Sequence, residues 1–305
     1  MRFGVHVGIG GGFEKTIAEA RAARCECIQI FAGNPRGFRR TPYDAQAWDK
    51  FRALRERYGI APTVIHSAYL VNLVTAAQEL HRISVLMVAN DLEVAARGSI
   101  EYVNTHLGSY GEESRAKGFT RVCKTIAKLV RAAKPGPMLL LENAAGAGNL
   151  CGGTLDELGA ILKEVPSERV GVCLDTAHAW AAGYEISSET GVAEFMRAIE
   201  RHIGFQRVRV LHLNDTEVDL GAKRDRHWHV GKGKIGTRGM RALLKRPELE
   251  HVAVICETPK TPELDRANVR AARTLAGAGR SSRRPEALVP EKPKHSLQPQ
   301  SKNGR

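Results

Sequence analysis

The 305 residues are 43% hydrophobic and 26% charged, close to the averages for folded globular chains, which excludes disorder along the whole length. No apolar run approaches the roughly 18 to 20 residues of a membrane span, and the opening MRFGVHVGIG lacks the zones of a signal peptide. Forty-six Lys and Arg against 33 Asp and Glu give a net charge of +13, which favours a polyanionic partner without proving one.

In chain order, eight β-rich runs alternate with segments of helical spacing. The runs are RFGVHVG (2–8), ECIQIFAG (26–33), APTVIHSA (61–68), EYVNTHLG (101–108), PMLLLEN (137–143), RVGVCLDT (169–176), VRVLHLND (208–215) and HVAVICET (251–258). Their near-continuous apolar character suits strands buried on both faces, as in parallel sheets. Between them, Trp48, Phe51, Leu54 and Tyr58 make one helical stripe, with Thr41-Pro42 able to start it and Gly59 to end it. A second stripe runs from about Glu79 to Gly98 through Leu80, Ile83, Met87 and Val94. A third joins Phe119, Val122, Ile126, Leu129 and Val130 and stops before Pro135-Gly136. Eight such alternations predict an α/β fold, a (β/α)8 TIM barrel over residues 1–277, in preference to a doubly wound open sheet.

From residue 278 onward the composition changes. Seven Lys or Arg stand against two Glu, with four prolines and few large apolar residues. Residues 278–305 therefore read as a disordered basic tail. The six cysteines, Cys25, Cys27, Cys123, Cys151, Cys173 and Cys256, are scattered and read as reduced core thiols, with a cytoplasmic location expected.

In a barrel of this kind the working face is the carboxyl end of the strands. Here the strand ends bring His66, His106, Glu142, Asp175 with His178 three residues on, His212 and Glu257. The loop after the seventh run adds Asp225 and His227. A single histidine at a strand end is as a rule a hydrogen-bonded structural residue. Nine imidazoles and carboxylates on one rim are another matter, because buried carboxylates repel and lose hydration unless cations compensate them. The donor types suit zinc, manganese or iron, and nine are too many for one ion. Asp175 and His178 can address neighbouring metals, while Asp225 and His227, two apart on an extended segment, can share one. The glycines of GKGKIG (231–236) spell a dinucleotide fingerprint, but DRHWHV before them is polar and His-rich, so no nucleotide cofactor is expected. That loop is expected instead to receive a phosphate at a helix start. Cys173 and Cys256, beside ligands, read as small buried apolar residues.

The segments IHSAYLVNL, NTHLGSY, LLENAAG, VGVCLDTAHAWAAGYE, LHLNDTE, DRHWHVGKGKIG and ICETP resemble the endonuclease IV family of zinc-dependent apurinic/apyrimidinic endonucleases, and the resemblance covers roughly residues 2–275. The resemblance implies a barrel with three Zn2+ per chain, with Mn2+ or Fe2+ an alternative at one site. His66, His106 and Glu142 would hold the first ion. Glu142 would bridge to a second held by Asp175, His212 and Glu257, and His178, Asp225 and His227 would hold the third. It implies hydrolysis of the phosphodiester 5′ to an abasic site in double-stranded DNA, leaving a 3′-hydroxyl, together with removal of 3′-blocking groups. Glu257 would be the general base and Glu142 would orient the nucleophile. Arg36, Tyr69 and Leu70 would enter the DNA where the lesion is flipped out. A monomer with no membrane partner is expected. The chain departs from the family pattern in AGNPRGF (32–38), HLG (106–108) and NAAGAG (143–148), none of which removes a ligand. The alternative is a metal-dependent sugar isomerase or epimerase resembling xylose isomerase. Its four-ligand site Glu142, Asp175, His212 and Glu257 could imitate, but it has no place for the other five donors.

Overall fold

Strands short, apolar and β-branched enough to bury both faces can close only if every edge finds a partner. In a computed structural model, which describes residues 1–37 and 44–277, the eight runs do so. Strands β1 (Arg2–His6), β2 (Cys27–Phe31), β3 (Thr63–His66), β4 (Tyr102–Thr105), β5 (Met138–Glu142), β6 (Val170–Asp175), β7 (Val208–His212) and β8 (Ala253–Cys256) form a closed parallel barrel in sequence order. The closing pair is β1 with β8, in register at Gly4 and Ile255. The fold expected from the alternation is the fold observed.

Each strand is shorter than its apolar run, since the runs extend into loops bonded by side chains. As a result His106 and Glu257 lie one residue beyond β4 and β8, rather than at their ends. Glu257 keeps a strand-like bond there through its backbone N–H, which donates to Asn214 Oδ1 at 2.8 Å.

The helices pack outside the barrel with their apolar stripes inward: α1 (Phe13–Ala22), α2 (Ala45–Tyr58), α3 (Gln78–Arg97), α4 (Arg115–Ala132), α5 (Leu155–Glu164), α6 (Thr176–Ala182), α7 (Glu189–His202), α8 (Gly236–Leu244) and α9 (Pro262–Leu275). The expected start of α2 at Thr41-Pro42 lies outside the described residues. The helix is capped by Asp44, whose carboxylate accepts the Ala47 N–H at 2.7 Å. Its other end is Gly59 at φ 64°, a left-handed conformation that glycine adopts without cost. The third stripe becomes α4, which ends at Ala132, before Pro135-Gly136. One feature is new. A short helix, α6, starts on the residue after β6 with Asp175 as its cap. The predicted tail, residues 278–305, lies outside the described residues.

Candidate metal centre

All nine predicted donors meet at the carboxyl end of the barrel. Their arrangement follows from two periodicities. Inward-facing positions on a strand recur every second residue, and positions three apart share a helix face. Asp175 ends β6 and caps α6 at once: Oδ1 accepts the His178 N–H at 2.8 Å, which leaves Oδ2 for the site. His178 then sits one helical turn along, buried with its ring over the barrel mouth.

The donor atoms fall into groups whose members lie within 4.8 Å of one another. His66, His106 and Glu142 form one, Glu142, Asp175, His212 and Glu257 a second, and Asp175, His178 and His227 a third. Asp225 joins the third from an exposed loop, with Oδ1 3.3 Å from His178 Nε2 and 3.2 Å from His227 Nε2. Glu142 belongs to the first two groups: Oε2 faces His66 Nε2 at 3.2 Å, and Oε1 faces His212 Nδ1 at 3.1 Å. Asp175 is also shared, because Oδ2 approaches His227 Nε2 at 3.5 Å.

Charge governs the site. Burial alone would raise the pKa of Glu142 and Glu257, yet the facing imidazoles, His106 and His212 foremost for Glu142 and His212 for Glu257, hold both well below the usual carboxylate range. The converse acts on the imidazoles. Burial would lower His178 and His227, but Asp175, Asp225 and, for His178, Glu142 push them up to about 10 and about 9. His106 goes the other way, lowered by burial and by the neighbouring imidazoles of His66 and His178. Ionised carboxylates this deep demand positive charge, and nitrogen and oxygen donors in groups of three and four are the ligand chemistry of divalent zinc, manganese or iron. The residues fit metal ions.

A ring of amides that sequence reasoning missed holds these donors in place. Asn104 Nδ2 donates to Glu142 Oε2 at 2.5 Å, and Asn214 Nδ2 to Asp175 Oδ2 at 2.6 Å. Asn143 accepts the Asp175 N–H at 2.6 Å and returns a bond to the Asp175 carbonyl. Gln29 bonds both Glu257 and His212. The available signal was a polar residue inside a buried strand, Gln29 in CIQIF and Asn104 in YVNT, and amides carry no metal-ligand pattern by which to single them out.

Of the DNA-contact candidates, Tyr69 (56% exposed) and Leu70 (40%) are among the few exposed large hydrophobic residues, and Arg36 is exposed beside them. Tyr69 packs edge-on to Phe31 and tilted to His66, with centroids 5.3 and 5.7 Å away, so it stands over the first donor group. Its backbone N–H donates to the Pro35 carbonyl at 3.1 Å and ties together the loops after β2 and β3.

Two expectations about the loop after β7 resolve differently. The segment before Gly231 is no strand: Trp228 makes a single antiparallel bridge to Asp215, so the dinucleotide reading fails as expected. The phosphate expectation fails too. The buried Asp215 carboxylate already accepts the N–H groups of Gly233, Ile235 and Gly236 at 2.9, 3.0 and 3.1 Å, leaving none of the three for an anion. Gly233 and Gly236 serve to wrap the loop round Asp215. Cys173 lies between Glu142 and His212 within ligand distance, but burial pushes its thiol up to about 12, so it stays protonated and packs in the barrel core.

The chain matches the family described as xylose isomerase-like TIM barrel over residues 17–277. A solved D-tagatose 3-epimerase-like protein shares the fold, with a TM-score of 0.70 at 19% identity and coverage of 91% of this chain and 99% of that one. The endonuclease IV of Thermus thermophilus is nearer, with a TM-score of 0.82 and 38% identity over 91% of this chain and 100% of its own. "Probable endonuclease 4" of Chloroflexus aggregans is 37% identical over 278 residues, 90% of this chain and 97% of its own. Identity at that level over nearly the whole length of both chains, on one barrel, means that the chain belongs to the endonuclease IV family.

Proposed function

We propose that the protein is a DNA repair endonuclease that hydrolyses the phosphodiester 5′ to apurinic or apyrimidinic sites in duplex DNA, leaving a 3′-hydroxyl, and that also removes 3′-blocking groups. It would use three zinc ions, with manganese or iron an alternative at one site, and act as a monomer. The observation that carries this reading is the convergence of all nine donors in groups sharing Glu142 and Asp175, beneath an exposed aromatic and aliphatic pair.

His66, His106 and Glu142 would hold one ion, Glu142, Asp175, His212 and Glu257 another, and His178, Asp225 and His227 the third. Bound there, the ions supply Lewis acidity toward the phosphoryl oxygens and lower the pKa of water toward neutrality. The protein's own groups do the rest. Glu257, kept ionised at the mouth of the barrel, accepts the proton of the attacking water, while Glu142 orients it. Tyr69 and Leu70 fill the gap that an extruded lesion leaves, and Arg36 meets a phosphate. The chain's +13 charge supplies sequence-independent affinity for the duplex.

The sugar-isomerase alternative accounts for Glu142, Asp175, His212 and Glu257 but leaves His66, His106, His178, Asp225 and His227 without a role. The test is single-turnover cleavage of an end-labelled duplex carrying one abasic site, with no added magnesium and the bound metals quantified. Wild type is expected to cut once, 5′ to the site. Glu257→Gln is expected to bind the abasic duplex as before and to cut at least about 100-fold more slowly. Full cutting by Glu257→Gln removes its role as base. A metal-loaded wild type that leaves abasic DNA intact and turns over ketoses or aldoses overturns the nuclease reading.

A further inference from the structure

The nitrogen that each histidine turns to the centre is set by what holds the other nitrogen. Three of the imidazoles are held by backbone. His66 Nδ1 donates to the Ser67 carbonyl at 2.6 Å, His178 Nδ1 to the Asn143 carbonyl at 2.9 Å, and His227 Nδ1 to the Glu257 carbonyl at 3.1 Å. All three therefore present Nε2. His212 is reversed, with Nδ1 facing the carboxylates and Nε2 2.8 Å from the side-chain oxygen of Gln29. A side chain holds it, and a side chain can be replaced.

We propose that Gln29 is the positioning residue of the four-ligand site, fixing the donor atoms of both His212 and Glu257. This rests on the metal-centre reading given above. An ionised carboxylate only accepts, so the group 2.5 Å from Glu257 Oε1 is the amide nitrogen of Gln29. The amide oxygen is then turned on His212 Nε2, which must carry the hydrogen. His212 Nδ1 is thereby the nitrogen turned between Glu142 Oε1 and Glu257 Oε2, each 3.1 Å away, with Asp175 Oδ2 at 3.8 Å, and its lone pair would be the one offered to a bound ion. The same amide holds Glu257 by Oε1 and leaves Oε2 on the His212 side. Its second hydrogen is directed at His6 Nδ1, 3.1 Å away, so both ends of the amide are in use. Gln29 has no exposed surface, and bulk water cannot take its place.

Gln29→Met keeps the length of the side chain and removes both hydrogen-bonding ends. The experiment uses the full chain, loaded with Zn2+ and titrated with a chromophoric chelator, with circular dichroism to check folding. The His212 tautomer is read from long-range 15N–1H spectra. The expected result is that one zinc per chain is held 10- to 100-fold more weakly while the others are unchanged, and that His212 leaves the pure Nε2–H form. Unchanged zinc affinity with an unchanged His212 tautomer overturns the role of Gln29 and leaves the metal centre standing. A folded wild type that binds no zinc overturns the centre itself and Gln29 with it. Should Gln29→Met fail to fold, Gln29→Glu decides: it keeps an acceptor for His212 and opposes Glu257 with a like charge. Weaker zinc with the His212 tautomer retained supports the proposal, and wild-type affinity refutes it.

Discussion

Two layers of the barrel interior lie one strand step apart and have opposite chemistry. The lower layer is apolar: Cys27, Val64, Leu140, Cys173, Val210 and Ile255 cluster with Ala253, and Tyr102 packs on them. Two residues further along the same strands stand Gln29, His66, Glu142, Asp175, His212 and, past the end of β8, Glu257, with Asn104 two after Tyr102. Gly4 and His6 complete the pattern on β1, where any side chain at Gly4 would strike the Cys27 carbonyl of the neighbouring strand. Because side chains alternate across a strand, a shift of two residues changes the layer without changing the face. The difference shows how one closed sheet can carry both a dry floor and a polar centre. The floor excludes water from below, and the amide ring satisfies the centre from the sides.

If the layers divide stability from chemistry, damage to the floor should leave the centre working. Leu140 is fully buried in the floor, two residues below Glu142. Leu140→Ala is expected to cost roughly 2–5 kcal/mol in denaturant unfolding. Zinc content and cleavage per folded molecule should stay at wild-type levels. Loss of bound zinc from folded Leu140→Ala would show that the floor also shapes the centre, and the division would fail.

The layers were unequally legible in the sequence. The fold was readable because each strand is a run of apolar residues that no surface strand tolerates, and because Gly59 and Pro135 punctuate the helices as their backbones require. The metal donors were readable because carboxylates such as Glu142 and Asp175 are expensive in the middle of such runs unless cations compensate them. Gln29 and Asn104 gave no comparable signal, since a neutral amide in a strand is satisfied by many kinds of neighbour. The role of the glycine loop was misread for a related reason. Gly231, Gly233 and Gly236 report that the backbone turns tightly, and they do not report that Asp215, some twenty residues earlier, is the anion it turns around. The spacing of a motif records backbone shape, and the partner comes from tertiary structure.

A smaller effect is expected above the centre, where Tyr69 is exposed yet packed against His66 and Phe31. Tyr69→Ala should leave zinc content and unfolding unchanged. It should weaken binding of a fluorescent abasic duplex by roughly 5- to 100-fold, the worth of one stacked aromatic, with a smaller loss on intact duplex. Equal loss on both duplexes would make Tyr69 a general contact rather than the one that meets the lesion.

The smallest effect tests the charge argument away from the centre. Asp265 on α9 is buried like Glu142, at 7% exposure, but the charges acting on it are Lys260 and Glu19 rather than imidazoles, and burial lifts its pKa from 3.8 to about 6. Glu142, ringed by His66, His106 and His212, moves the opposite way. A carboxyl whose pKa is raised on folding favours the folded state while protonated, so its contribution is present below pH 3.8 and is lost as the pH climbs through about 6. Asp265→Asn cannot ionise. It is expected to match wild type at pH 4 and to exceed its stability by about 1–3 kcal/mol at pH 7.5, read from urea unfolding at both pH values. Equal stability at both would mean that the polar surroundings of α9 compensate Asp265 as fully as the imidazoles compensate Glu142, and the contrast between the two carboxylates would vanish.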